Sequence, residues 1–168
     1  MSMVEQIPVE TYLHRKNIDF KVVPHAETYT TLTEARAVGI PSEEVLKAVL
    51  LRLSDGYAVA VVPGSRRLDL RLIREVTTDH HASLASEDEI AVAFPDFVLG
   101  ALPPIPGVLG VRGFVDPTVF DHDLVAFAAG IATESVVANP RTLLWGEDVL
   151  VYPISKEPED VEYWRLEG

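Results

Sequence analysis

The sequence contains no cysteine and only two methionines among its 168 residues. A chain without cysteine forms neither disulfide bonds nor thiolate metal sites, and this composition favours a cytoplasmic location by default. No apolar run approaches the ~20 residues that cross a bilayer, and residues 1–6 lack the basic and apolar regions of a signal peptide. We therefore expect a cytoplasmic protein that has no membrane partner.

Basic residues are also scarce, with 14 lysines and arginines against 26 acidic residues and a net charge of −12. Two polyanions repel each other, which argues against loose, sequence-blind binding to nucleic acid, DNA included. The charge is uneven: residues 47–74 carry six basic and two acidic side chains, a net of +4, whereas residues 75–168 carry four basic and seventeen acidic ones. The basic side chains of the first segment are Lys47, Arg52, Arg66, Arg67, Arg71 and Arg74. Such a cluster is either a solvated surface or a docking surface for an anionic ligand.

The length and the apolar content of 48% fit one globular domain. Strand-like and helical segments follow one another without regular alternation, which favours an α+β fold with a mixed or antiparallel sheet flanked by short helices. We assign residues 1–168 to a single domain, with a core at about 20–152 and an acidic tail at 156–168. No glycine-rich phosphate loop of the dinucleotide or Walker type is present.

Apolar periodicity and turn residues predict the elements of this domain. The predicted helices cover residues 5–17, 31–38, 41–44, 68–76, 86–94 and 140–144. The predicted strands cover residues 20–23, 48–53, 57–62, 108–115, 124–128, 135–138 and 149–152. Capping boxes are predicted from Thr31 to Glu34 and from Ser86 to Glu89, and Asp69 is predicted to cap the helix that follows it.

Lys47 lies where a polar helix end runs into a strand-like apolar stretch. A lysine among apolar neighbours either extends its side chain to water or meets an anion. About fifty residues later, Gly100 and Gly107 bracket a proline-rich loop within residues 94–107. A placed cation and a stiff loop with exposed amides can hold and polarise an acyl or phosphate group. We expect Lys47 and the amides around Gly100 to face one pocket.

Several short segments, taken together and in order, match a known pattern. They read TTLTEA, VLKAVLL, AVAVVPGSRRLDL, FPD, GALPP, VD and AG, at residues 30–35, 45–51, 58–70, 94–96, 100–104, 115–116 and 129–130. In these segments the chain resembles the YbaK/prolyl-tRNA-synthetase-associated editing domain family over about residues 25–144. The resemblance implies the α+β fold of that family and a hydrolase that acts in trans on the ester of a mischarged aminoacyl-tRNA. It also implies no cofactor, and as partners the acceptor end of aminoacyl-tRNA and an aminoacyl-tRNA synthetase.

The resemblance further implies roles for individual residues. Lys47 would contact the terminal adenosine phosphate or the aminoacyl group, and the amides around Gly100 and Ala101 would hold the ester carbonyl. Substrate contacts are predicted for His25, Thr30, Thr31, Pro103, Pro104, Gly107 and Gly130, and tRNA docking for Arg52, Arg66, Arg67 and Arg71. Plain structural alternatives stay open, because threonines also suit helix caps and glycines also suit turns.

Two departures from the family pattern concern this predicted site. Pro106 is interposed before Gly107 in the substrate loop, and Ile131-Ala132 stands where related members carry Thr-His. They leave open a second hypothesis: a non-catalytic module that binds an aminoacyl or nucleotide-like ligand, as a regulatory partner of a synthetase. A third hypothesis is a structural interaction domain, in which Lys47→Ala would alter stability alone.

Two clusters resemble metal ligands, DHH at residues 79–81 and DHD at residues 121–123. Neighbouring residues of a strand point to opposite faces, and neither cluster has a second ligand set at a helical i, i+4 spacing. We therefore predict no metal site. Asp116 follows a predicted strand and either lines the site or caps a turn, and the turn is the preferred assignment.

Overall fold

Strands and short helices alternate irregularly along residues 8–158, the part of the chain that the computed structural model describes. The helices are α1 (Val9–Arg15), α2 (Thr31–Val38), α3 (Leu70–Thr77), α4 (Glu87–Ala93), α5 (Pro106–Leu109) and α6 (Pro140–Leu143), with 3₁₀ helices at Ser42–Glu44 and Pro117–Asp121. The strands are β1 (Phe20–Pro24), β2 (Val45–Leu53), β3 (Gly56–Pro63), β4 (Arg67–Leu68), β5 (Ser83–Leu84), β6 (Arg112–Val115), β7 (Val125–Ala128), β8 (Glu134–Ala138), β9 (Val149–Val151) and β10 (Ser155–Lys156).

The main sheet is mixed and has the strand order β1-β8-β7-β2-β3-β6-β9. The β2–β3 hairpin forms its centre, with Lys47 opposite Val62 in the antiparallel register. The β2–β7, β3–β6 and β6–β9 pairs are parallel, whereas β1–β8 and β7–β8 are antiparallel. The two-residue strand β5 pairs with the far half of β2, and β4 pairs with β10 in a separate two-stranded ladder.

The pleat of β2 divides its side chains between two apolar layers. Leu46 and Leu50 face the layer that contains Leu102 and Ile105 of the proline-rich segment. Leu51 faces the opposite layer, with helix α3. Successive side chains of a strand alternate between faces, so the side chain of Lys47 lies on the face of Leu51 and α3.

Helix α2 also lies on the face of Lys47. Its Glu34 is hydrogen-bonded to Ser135 of β8, while the neighbouring Val136 faces the layer of Leu46. A Cβ placed on Gly64, in the turn after β3, would lie 3.0 Å from Thr31 Cβ in the first turn of α2. The N-terminal end of α2 is therefore packed against the turn at Gly64, which follows the last residue of β3.

The predicted α+β class is confirmed, and two local predictions are wrong. The predicted strand over 108–115 begins only at Arg112, because Pro106 starts a short helix that Gly110 ends with φ +68°. The capping box of α2 is Thr30 with Thr33 rather than Thr31 with Glu34. The Glu34 carboxylate instead points into the protein, where Ser135 satisfies it.

Other boundaries follow the prediction closely. Asp69 caps α3, and Ser86 with Glu89 forms the capping box of α4. Asp116 caps the 3₁₀ helix that follows it, which is the turn-capping role preferred from the sequence.

Residues 5–7 of the first predicted helix and residues 159–168 of the tail lie outside the described residues, so the domain boundaries stay a prediction. No helix within residues 8–158 combines the length and the apolar character needed to cross a bilayer.

Candidate functional site

Strand β2 changes its neighbour in the sheet at Lys47. β7 pairs with β2 through Val45 and Leu46, and β5 pairs with it only from Leu51 onward. Within the described residues, positions 47–49 therefore pair with no strand on this edge, although Lys47 is level with Ala128, the last residue of β7. The sheet is open next to Lys47, in the interior of the fold rather than at its rim.

Lys47 is a half-buried cation in this opening. Its ammonium has no hydrogen bond or ion pair with any residue of the described part of the chain. Burial lowers the pKa of Lys47, and the nearby Arg67 lowers it further by repulsion. A desolvated ammonium without an acidic partner is stabilised by any anion that reaches it. This half of the site is therefore suited to a phosphate or a carboxylate.

The tip of the proline-rich loop is tied to the turn that follows β7. Val98 N–H donates to Gly130 O at 2.9 Å, and Gly130 N–H donates to Ala101 O at 2.8 Å. The last β2–β7 pair is Leu46 with Phe127, so Lys47 stands level with the residue that follows Phe127. The end of β7 is thus next to Lys47 on one side and carries the loop on the other.

Gly100 is an exposed residue of this loop in the left-handed backbone region. Its φ is +84°, and a Cβ at this position would lie 2.6 Å from the carbonyl oxygen of Tyr29, just before α2. Its N–H has no hydrogen-bond partner among residues 8–158. Gly100 therefore offers a free amide donor at the place where the loop meets the N-terminal end of α2.

Unlike the Gly100 N–H, the Ala101 N–H already has a hydrogen-bond partner in the protein. Its N–H donates to Val98 O at 2.9 Å, and the residue is 1% exposed. Pro103 and Pro104 are buried as well, so they stiffen the loop from within and do not face solvent. Of the predicted loop contacts, the free amide of Gly100 is the one that remains open to a ligand.

Gly107 has a structural partner instead of a substrate. Its N–H donates to Glu147 Oε1 at 2.6 Å, and Tyr12 donates to the other oxygen of this carboxylate at 2.6 Å. A Cβ at Gly107 would lie 1.9 Å from the Tyr12 hydroxyl. Close packing of α1 and Glu147 therefore explains the glycine, and we leave it out of the site.

Gly130 supports the loop and also borders a cavity. Its φ is +93°, and a Cβ there would lie 2.4 Å from the Phe97 ring, so the ring packs directly on the turn. The cavity beside it, about 460 Å³, is bordered by Asp96, Phe97, Ile131 and the first residues of α1.

Thr30 and Thr31 lie at the N-terminal end of α2, next to the residue that packs on Gly100. Thr30 is the N-cap of α2 and accepts from Thr33 N–H at 3.1 Å. Thr31 packs on Gly64. Both therefore have a structural role, and they are the first two residues after Tyr29, whose carbonyl oxygen packs on Gly100.

His25 is engaged by the protein through both ring nitrogens. Nδ1 lies 2.7 Å from the carbonyl oxygen of Ala26, and Nε2 lies 2.8 Å from Ser135 Oγ. A ring whose two nitrogens are both occupied is held in place and is not free to bind a substrate atom. We therefore remove His25 from the list of substrate contacts.

The predicted arginine surface divides into paired and unpaired side chains. Arg52 pairs with Glu89 at 3.3 Å, Arg66 with Glu157 at 3.4 Å, and Arg71 with Asp69 at 3.3 Å. Arg52 also has the parity of Leu50 on β2, so it lies on the face opposite to Lys47. Arg67 has no ion pair within the described residues and is the cation that acts electrostatically on Lys47.

Sequence reasoning missed three residues that shape this region. Glu34 and Ser135 are 4% and 0% exposed and bond to each other, and the Glu147 carboxylate holds Tyr12, Lys16 and Gly107. For Glu34 the available signal was local: it precedes Ala35, and these two residues form the buried side of α2. Glu147 had none, because its partners lie 40 or more positions away.

The DHH and DHD clusters do not assemble a ligand set. No group of three or more histidine and acidic side chains within residues 8–158 is placed to hold a metal ion. Asp79 instead accepts from Ser54 N–H at 2.7 Å and from Ser54 Oγ at 2.9 Å, so it closes the β2–β3 turn.

A family model of known proteins matches the part of the chain that contains Lys47, Gly100 and Gly130. Residues 25–144 match the model of the aminoacyl-tRNA editing domain. The chain belongs to this family. The match extends from His25 to Leu144 and so includes both halves of the candidate site.

Individual relatives agree with this assignment. The chain is 29% identical over 82 residues to a proline–tRNA ligase of Fervidobacterium nodosum; the matched region is 49% of this chain and 14% of the ligase. A solved structure of a candidate trans-editing enzyme for prolyl tRNA synthetase superimposes with a TM-score of 0.77 at 23% identity, covering 88% of this chain and 94% of that one. Hypothetical protein APE2540 gives a TM-score of 0.79 at 21% identity, covering 88% of this chain and 99% of that one. At these identities the two structures establish the shared fold.

Proposed function

We propose that this editing domain hydrolyses the ester bond of a mischarged aminoacyl-tRNA, in trans and in the cytoplasm. The observation that carries the proposal is a pair of groups near the end of β7 that have no hydrogen-bond or ion-pair partner within residues 8–158. They are the Lys47 ammonium, level with the end of β7, and the Gly100 N–H, in the loop that is bonded to the Gly130 turn after β7. The family match and the trans-editing relative support the same substrate class. The ligase relative suggests prolyl-tRNA synthetase as the enzyme whose errors are corrected.

The chemistry needs little from the protein. An aminoacyl ester is already activated, so water can attack its carbonyl carbon once the tetrahedral oxyanion is stabilised and the water is positioned. The C–O bond to the terminal ribose then breaks, and the proton of the attacking water passes to the ribose oxygen. No serine or cysteine nucleophile is required, which suits a chain without cysteine.

Gly100 is proposed as the oxyanion donor. Its N–H is not used within the described residues, and its backbone is held from two sides by Tyr29 and by the Val98–Gly130 bond. A donor that is fixed before the reaction does not have to reorganise as charge develops on the carbonyl oxygen. One such donor typically contributes about 100- to 1,000-fold in rate.

Lys47 and Arg67 are proposed to hold the phosphate of the 3′-terminal nucleotide. Both cations lack an acidic partner in residues 8–158, and their mutual repulsion is relieved when an anion binds between them. The other three predicted docking arginines are already neutralised by carboxylates. The net negative charge of the chain repels nucleic acid in general. A substrate is therefore favoured only when it places a phosphate between Lys47 and Arg67.

The test is a deacylation assay on a panel of mischarged tRNAs, with 3′-end-labelled substrate and a buffer blank. We expect the wild type to cleave at least one ester faster than buffer, and Lys47→Ala to lose most of that rate while keeping its thermal unfolding midpoint. Arg71→Ala is the matched control, since it removes a cation that is already paired with Asp69.

Two results would change the assignment. If no ester of the panel is cleaved faster than in buffer, the hydrolase proposal fails. If a non-hydrolysable aminoacyl-adenosine analogue nevertheless binds, and Lys47→Ala abolishes that binding, the chain is a binding module that recognises the same ligand without turnover.

A further inference from the structure

A buried polar chain lies between α2 and β8. Ser135 is 0% exposed and its hydroxyl donates to Glu34 Oε2, while His25 Nε2 lies 2.8 Å from Ser135 Oγ. His25 Nδ1 in turn lies 2.7 Å from the carbonyl oxygen of Ala26. The proposed chemistry uses none of these groups, and a buried carboxylate of this kind is costly unless it is fully bonded.

The number of protons in this chain is set by its contacts. The Ala26 carbonyl only accepts, so Nδ1 carries a proton. Either Nε2–H donates to Ser135 and Ser135 donates to the Glu34 carboxylate, or a protonated Glu34 donates to Ser135 and Ser135 donates to Nε2. Both arrangements use three protons and satisfy all three contacts. Loss of one proton leaves one contact without a hydrogen bond.

Burial raises the pKa of Glu34, although the bond from Ser135 and the charge of His25 oppose this rise. The folded chain thus retains the third proton more readily than an exposed glutamate would.

The chain joins the two ends of one segment. His25 follows β1 directly, and Glu34 lies in the first half of α2. Between them, Tyr29 presents its carbonyl oxygen to Gly100. The segment is also bonded along β8, through His25 N–H to Thr133 O and Thr28 N–H to Ala132 O, each at 2.9 Å.

We propose that Ser135 is a positioning residue of the editing site, because its single hydroxyl fixes both ends of segment 25–34 and so holds Tyr29 against the Gly100 turn. The inference rests on the proposed role of Gly100 as the oxyanion donor. Without the Ser135 hydroxyl, His25 and Glu34 lose their common side-chain partner, and only the main-chain bonds of His25 and Thr28 to β8 still hold the segment. Gly100 then loses the main-chain surface on which its turn packs.

The test compares Ser135→Ala with Glu34→Gln and with the control Ser155→Ala. The side-chain amide that Glu34→Gln introduces can still donate to or accept from Ser135, so this variant keeps a bonded chain. Ser155 is also buried, at 7% exposure, but it belongs to the Asp116 cluster and lies outside the segment. Each variant is measured by hydrogen exchange of the amides in residues 28–31 and by kcat and KM for the cleaved ester.

For Ser135→Ala we expect faster exchange in residues 28–31 and a kcat lower by about 10- to 100-fold with KM nearly unchanged, the size of effect that a displacement of about 1 Å can cause. Glu34→Gln should keep most of the protection and of kcat. Ser155→Ala should lower the unfolding midpoint without a specific loss in kcat.

Unchanged exchange in Ser135→Ala, or an equal loss of kcat in Ser135→Ala and Ser155→Ala, would overturn the positioning role. If the wild type cleaves no ester, the proposed function fails, while the exchange comparison still decides whether Ser135 fixes the segment.

Discussion

The carbonyl oxygen of Tyr29 lies 2.6 Å from the point that a β-carbon on Gly100 would occupy. A main-chain oxygen cannot move away as the end of a flexible side chain can. The contact therefore admits only glycine at position 100 and joins the substrate loop to the N-terminal end of α2. Because the Gly100 N–H has no partner among residues 8–158, the same contact fixes the backbone that carries this open donor.

Gly100→Ala should lose at least about 100-fold in deacylation rate, the lower end of the effect of losing one oxyanion donor. The added methyl group must displace the loop from Tyr29, and the amide moves with it. The measurement is kcat/KM on the cleaved ester, with circular dichroism to establish that the variant is folded.

Gly39→Ala is the matched control for this change. Gly39 has φ +83°, almost the same as Gly100, but nothing lies within 4 Å of its added Cβ. An alanine in the left-handed region costs about 1 kcal/mol in either variant, but only Gly100→Ala meets a steric obstacle. Equal activity losses in the two variants would show that strain, and not the contact with Tyr29, is responsible.

Arg67→Ala should weaken binding of the acceptor end more than Arg71→Ala does. Arg67 is unpaired in the described residues, whereas Arg71 donates to Asp69. Removing one phosphate contact to a single strand lowers the slope of log affinity against log salt concentration by about 0.7. Titrations of a fluorescent acceptor-stem oligonucleotide at several salt concentrations measure this slope. A slope change in Arg71→Ala but not in Arg67→Ala would contradict the assignment.

Lys47 should titrate below the ordinary lysine value of 10.5, because burial and then Arg67 both lower its pKa. Its positive charge, and with it the affinity for adenosine 5′-monophosphate, is retained at lower pH and is lost as the pH rises through this lowered pKa. Arg67→Ala removes the repulsion, so the loss should move to higher pH. Side-chain NMR of Lys47, assigned with Lys47→Arg, follows the titration. A titration at or above 10.5 in the wild type would refute the prediction.

Asp116→Ala should lower the free energy of unfolding by about 2–4 kcal/mol at neutral pH, because several donors in the interior lose a charged acceptor. Asp116 accepts from Ile154 N–H, from Ser155 N–H and Oγ, and from Thr118 N–H and Oγ1. Burial alone would raise its pKa, but the bonds from Thr118, Ser155 and Ile154 outweigh burial and leave the pKa of Asp116 below its usual value of 3.8.

The sign of the pH effect for Asp116 follows from this lowered pKa. Its stabilisation is complete above pH 3.8 and is lost as the pH falls through the folded-state value. The difference between wild type and Asp116→Ala in urea denaturation should therefore shrink only in strong acid. Asp121→Ala, at an exposed neighbour in the same 3₁₀ helix, should change stability by less than about 0.5 kcal/mol.

Local chemistry made much of the fold predictable from the sequence. The β2–β3 hairpin follows from two apolar runs around an Asp-Gly turn, and the starts of α3 and α4 follow from their capping residues Asp69 and Ser86. These features depend on residues within a few positions of each other. The extent of α2 was predicted correctly, but its N-cap was misplaced by one residue because Thr30 and Thr31 can both act as caps, and the choice depends on where Glu34 is buried.

The sequence by itself determined which residues could serve the site: a lysine in an apolar strand, a glycine-bracketed proline loop and a set of arginines. Only the tertiary structure decided which of these are available. Glu147 takes the Gly107 amide and Val98 takes that of Ala101. Carboxylates of distant segments pair with Arg52 and Arg66, and the cap of its own helix pairs with Arg71. Hydrogen bonds and ion pairs saturate their partners, so a group stays open to a ligand only when no distant segment reaches it first.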